Sequence, residues 1–71
     1  MFIISHTDLG NINGSWVTRY EVEGNRALYS VYRGVNDPIK RLNHDKCFLI
    51  RQGAIDADIE HYIDLVINQE L

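Results

Sequence analysis

Residues 54–71 read AIDADIEHYIDLVINQEL, and their apolar members Ile55, Ile59, Tyr62, Ile63, Val66 and Ile67 return at steps of three and four. That spacing is the period of an α-helix and gathers them on one arc of it. Ala57, Glu60, His61, Asp64 and Asn68 take the opposite arc. An apolar stripe on a helix has to be covered, so the rest of the chain must supply a surface that covers it.

What precedes the helix reads mainly as strands. Phe2-Ile3-Ile4 opens a short strand running toward His6. Residues 8–15, with two glycines and two asparagines, read as a connecting loop. Such a backbone also suits an anion cradle, but no phosphate-binding fingerprint or Lys-Ser/Thr follows, so a plain loop is expected. Residues 16–23 and 26–33 are rich in aromatic and β-branched types and flank Gly24-Asn25, which suits a two-residue type II′ hairpin turn. That turn pairs Glu23 with Arg26, Val22 with Ala27, Tyr20 with Tyr29, Thr18 with Val31 and Trp16 with Arg33. Alternation then turns Trp16, Thr18, Tyr20, Val22, Ala27, Tyr29 and Val31 toward the helix. Val17, Arg19, Glu21, Leu28 and Tyr32 fall on the other side.

Asp37 caps one or two helical turns with Pro38 at their first position, and Asn43 closes them. Residues 46–51, KCFLIR, read as a further strand, and Gln52-Gly53 turns into the final helix, with either Gly53 or Asp56 at its N-cap. Asp56 and Asp58 suit the positive end of the helix dipole; Glu70 does not suit the other, so the last turn is expected to fray. The expected fold is α+β, one domain over residues 1–71. Its elements run β-β-β-short α-β-α: a small antiparallel sheet, one C-terminal amphipathic helix packed on one face, and an open second face.

Seventy-one residues sit near the lower end of what folds unaided. A core of this size contributes about 3–5 kcal/mol, and small domains often add a disulfide, a metal or a partner subunit. Cys47 is the one cysteine, which rules out an internal disulfide and fits a reducing compartment. With no apolar run of about 20 residues and no secretory pattern in MFIISHTD, a cytoplasmic protein is expected.

Charge is uneven. Residues 19–51 hold all seven basic residues against four acids, whereas residues 52–71 hold five acids and no base; the net charge is −3. A metal site has ligand types to hand in His6, Asp8, His44, Asp45 and Cys47, but not the spacing of a known metal motif, and no cofactor or metal is expected. Catalysis by Cys47 with a histidine, or by an Asp56/Glu60 pair, lacks the concave site such chemistry needs.

Two binding readings remain. Arg19, Arg26, Arg33, Lys40 and Arg41 lie in or near the sheet, interleaved with tyrosines, which is a pattern for nucleic acid. The Trp16-x-x-Arg19-Tyr20 … Gly24-Asn25-Arg26 hairpin loosely resembles the arm-binding domains of phage integrases, which implies a DNA-binding sheet. The resemblance covers that hairpin alone, and those domains are strongly basic. A sequence pI near 5.4 opposes a polyanion at long range.

Protein binding is the favoured expectation: a non-enzymatic regulator or inhibitor of a larger protein. Small accessory proteins of phages and plasmids have this size and charge. Asp56, Glu60 and Asp64 form one acidic row along successive helical turns, complementary to a basic partner. Val17, Arg19, Glu21, Leu28 and Tyr32 offer an open sheet face to a partner or to a second copy in a homodimer.

Overall fold

A computed structural model describes residues 1–70, with the side chains of residues 69 and 70 outside that description. Leu71 lies outside the described residues, and the backbone of the last turn, expected to fray, is helical through Glu70. The elements are β1 (Ile3–Ile12), β2 (Ser15–Val22), β3 (Arg26–Tyr32), α1 (Pro38–Arg51) and α2 (Asp56–Glu70). The strands form one antiparallel sheet in the order β1-β2-β3. The fold is a small α+β arrangement of three strands and two helices.

The first hairpin corrects the expected loop over residues 8–15. Ile12 pairs with Ser15, so Asn13-Gly14 is a two-residue turn, with φ of 53° and 85° at those positions. Left-handed φ at both central positions is the type I′ geometry that matches strand twist, and Asn-Gly is its preferred sequence. The glycine density elsewhere in that stretch marks a bulge. Gly10 adopts φ 79° where the register shifts between Asp8 and Gly10, and its N–H donates to Asp8 Oδ1 at 2.8 Å.

The second hairpin lies where expected but is one residue out of the expected register. Val22 pairs with Arg26 and Trp16 with Tyr32, leaving Glu23, Gly24 and Asn25 as a three-residue connection. The Glu23 N–H donates to the Phe2 carbonyl at 2.8 Å, toward β1, and so does not close the hairpin against Arg26. A one-residue slip inverts a strand. Residues of β2 keep the expected faces, while Leu28, Ser30 and Tyr32 turn toward the helices and Ala27, Tyr29 and Val31 turn away.

The greatest departure is α1. The expected short helix and following strand are a single 14-residue helix, Pro38–Arg51. Asp37 is its N-cap, accepting from the N–H groups of Ile39 and Lys40 at 3.0 and 3.2 Å, with Pro38 at the first helical position. Leu42, Asp45 and Leu49 recur at helical spacing on the inward face, so the apolar run around Leu49 is the end of a helical stripe, and Asn43 does not interrupt it. The helix ends in a Schellman motif. Gly53 N–H donates to Ile50 and Ala54 N–H to Leu49, both at 3.0 Å, with Gly53 at φ 102°. Asp37→Ala removes the N-terminal acceptor and is expected to cost about 1 kcal/mol in a denaturant titration; a loss below a few tenths would mean that solvent caps the helix equally well.

Helix α2 is capped at Ile55, between the two expected caps, two residues after Gly53 and one before Asp56. The Ile55 carbonyl accepts from Ile59 N–H, and the Ile55 N–H donates to Asp58 Oδ2 at 2.8 Å, the return half of a capping box. Ile3, Tyr20, Val22, Leu49, Ala54 and Tyr62 make the core. The Tyr62 ring meets Tyr20 edge-on at 5.7 Å and His6 at 5.8 Å. Of the expected stripe, Ile55 and Ile67 stay 65% and 52% exposed. His61, expected at the surface, is partly buried, its Nε2 lying 2.8 Å from the Ile3 carbonyl and its ring stacked on Phe2.

Candidate functional site

Alternation along β2 and β3 builds the first surface. Val17, Arg19 and Glu21 share the side away from the helices with Ala27, Tyr29 and Val31. Tyr29 and Val31 are 52% and 42% exposed, two apolar groups side by side that the register slip brought out. Arg19 binds the Glu21 carboxylate and reaches the Tyr29 hydroxyl across the strand pair; bonding to Glu21 above all raises its pKa further. Leu28 and Tyr32, expected here, belong to the helix side instead: Leu28 packs against the core and Tyr32 lies beside the His44 ring at 5.4 Å. The residues missed were Tyr29 and Val31, and the length of the turn was the signal that would have found them.

The second surface is the outer side of α2. Asp56, Glu60 and Asp64 are all exposed and none makes an ion pair with another described residue. They lie on the far side of the sheet from Tyr29 and Val31, so the two surfaces cannot meet the same flat partner.

The basic residues do not form one patch. Arg19 and Arg26 line a shallow depression of about 240 Å³ with Ile4 and Glu21 on the open side of the sheet. Arg33 is exposed just beyond β3, and Lys40 is exposed on α1. Arg41 is committed on the helix side, with its guanidinium 2.9 Å from Asp8 Oδ2 and 4.6 Å above the Trp16 ring. Burial pushes the Asp8 pKa up, but the Gly10 N–H, the Arg41 bond and charge, and His6 outweigh it and hold it below its ordinary value.

A third feature is a cleft of about 410 Å³ between α1 and α2. Leu42, Ile63, Val66 and Ile67 wall it, and His6, Thr18, Asp45 and Tyr62 reach its polar part. Asp45 lies on the inward face of α1, 7% exposed. Its two oxygens accept from Thr18 Oγ1 at 3.2 Å and Ser30 Oγ at 2.6 Å. Thr18 and Ser30 are direct cross-strand partners, so one carboxylate bridges a pair of strands and ties α1 to them. Desolvation pushes the pKa of Tyr62 up to about 12 and that of Tyr20 higher still, with Asp45 adding to both.

Among the described residues no three His, Cys, Asp or Glu side chains come together as a metal site. Cys47, expected inside a strand, is exposed on α1. No helix of the described residues is long and apolar enough to cross a membrane. Comparison with protein-family models, with curated proteins and with solved structures found no match.

Proposed function

We propose that this protein is a non-enzymatic protein-interaction module, a small regulator or inhibitor that docks on a larger protein through the open face of its sheet. The supporting observation is the pairing of Tyr29 and Val31, about half exposed, beside Val17 and the Arg19–Glu21 pair, on a side that no helix of the described residues covers. Aromatic groups on a rigid sheet are efficient anchors, because little side-chain freedom is lost when they are buried. The acidic row of Asp56, Glu60 and Asp64 faces the other way and is a separate surface, suited to a basic partner of its own. The single cysteine suits a reducing, cytoplasmic setting.

A homodimer is the second reading. Arg19 and Glu21 lie two residues apart on one strand, so a two-fold axis through the face sets each arginine opposite the other copy's glutamate.

The test compares variants in capture from the native host and in light scattering. Tyr29→Asp with Val31→Asp is expected to release the partner, a loss of at least about 30-fold if the pair forms a hot spot. Self-association that the same double variant abolishes establishes the dimer. Release only on charge reversal of Asp56, Glu60 and Asp64 moves the interface to α2. Salt-sensitive binding to DNA at about 50 mM salt, weakened by Arg19→Glu, replaces the proposal with the nucleic-acid reading.

A further inference from the structure

We infer that the cleft between α1 and α2 is a binding site for a small amphipathic amine, seated with its ammonium on Asp45 and its apolar body between the helices. This stands apart from the open sheet face and does not rest on it. Asp45 is 93% buried and borders the cleft, yet no Lys or Arg among the described residues pairs with it. Arg41 and Asp8 also line the cleft, and there the guanidinium is held by the Asp8 carboxylate and stacked on Trp16.

Each hydroxyl donates to a different oxygen, so the bridge takes two acceptor oxygens; a carboxylate has both, whereas an asparagine has one and a donor NH2 in place of the other. Both oxygens serve the fold, and no cationic side chain of the described residues is seated on them. A carboxylate offers about four lone-pair directions, and the hydroxyls of Thr18 and Ser30 take two of them, one on each oxygen. An entering ammonium donates to those that remain. It also gains the strength of a charge-assisted bond in a partly desolvated site.

Leu42, Ile63, Val66 and Ile67 present the other half of the complementarity, an apolar wall. The volume of about 410 Å³ lies within the range of small-ligand sites. Charge on the floor and hydrocarbon on the walls together select a cation with an apolar body over either alone.

Phenethylamine is the probe, titrated by calorimetry and by NMR shifts, with 3-phenylpropionate as a control of like size and opposite charge. Saturable binding of the amine is expected, with shifts at Thr18, Leu42 and Ile63 and none from the acid. Asp45→Asn, which keeps the shape and an acceptor for one of the two hydroxyls, is expected to weaken binding by about tenfold or more. Ile67→Trp, made at an exposed rim position, is expected to block the cleft while leaving Asp45 in place, so the outcome does not hang on one variant folding. No binding at millimolar amine, equal binding of the acid, or affinity unchanged in both variants overturns the inference.

Discussion

Asp45→Ala is expected to lower the unfolding free energy by about 3 kcal/mol, most of what a domain of this length has to lose. The substitution leaves two hydroxyls, on Ser30 at 0% and Thr18 at 6% exposure, without their acceptor. Each buried polar group so orphaned costs about 1–3 kcal/mol. Relief from burying the charge offsets part of this. In a thermal melt the loss corresponds to a fall of about 10–20 °C. Asp45→Asn keeps one of the two acceptors and is expected to lose less than Asp45→Ala, about 1–2 kcal/mol. Adding Thr18→Val and Ser30→Ala to Asp45→Ala removes the orphaned groups and is expected to recover part of the loss. A loss below about 1 kcal/mol for Asp45→Ala alone would show that water replaces the carboxylate and that α1 is held by Leu42 and Leu49 without it.

Alkali is expected to unfold the protein through two phenols. Tyr20 and Tyr62 are 0% and 2% exposed, and desolvation raises the pKa of both above the ordinary 10.0, Tyr62 to about 12 and Tyr20 beyond. The unfolded chain releases these protons near pH 10, while the folded chain keeps them. The stability they contribute is whole below pH 10 and drains away as pH rises through the folded values. The slope approaches about 1.4 kcal/mol per pH unit for each phenol once the unfolded chain is ionised, so the two together remove about 2 kcal/mol between pH 10 and 11. Circular dichroism and phenolate absorbance, followed together, are expected to change in one cooperative step. Tyr62→Phe drops one of the two contributions and flattens the decline by about half. Phenolate forming at Tyr20 and Tyr62 while the dichroism stays constant would mean that the fold opens locally to let them ionise.

Local chemistry was legible wherever a few neighbouring residues decide the backbone. The terminal stripe around Tyr62, the Asp37-Pro38 helix start and the faces of β2 follow from periodicity and capping alone. Asn13-Gly14 carried an equally local signal for a hairpin, hidden among the other turn formers of residues 8–15. Residues 46–51 were harder. A short apolar run such as Cys47-Phe48-Leu49-Ile50 satisfies a buried strand and a helical stripe alike, and only the continuity from Leu42 through Asp45 to Leu49 separates them.

The site depended on longer-range choices. Placing Tyr29 rather than Tyr32 on the open face turns on one extra residue in the Glu23–Asn25 connection, set by the Glu23 bond to Phe2 across the sheet. Asp45 is unremarkable in sequence because its partners Thr18 and Ser30 lie 27 and 15 residues away.

The chain's own residues determined the alphabet of this fold: an amphipath that demands a sheet, strands that alternate, turns and caps that start and stop them, because those depend on steric and hydrogen-bonding preferences within a few residues. Tertiary structure alone decided which side of β3 faces out and that the Asp45 carboxylate of α1 lies buried against the sheet at the floor of a cleft. Register and burial are settled by hydrogen bonds and packing between segments far apart in the chain, and no local preference encodes them.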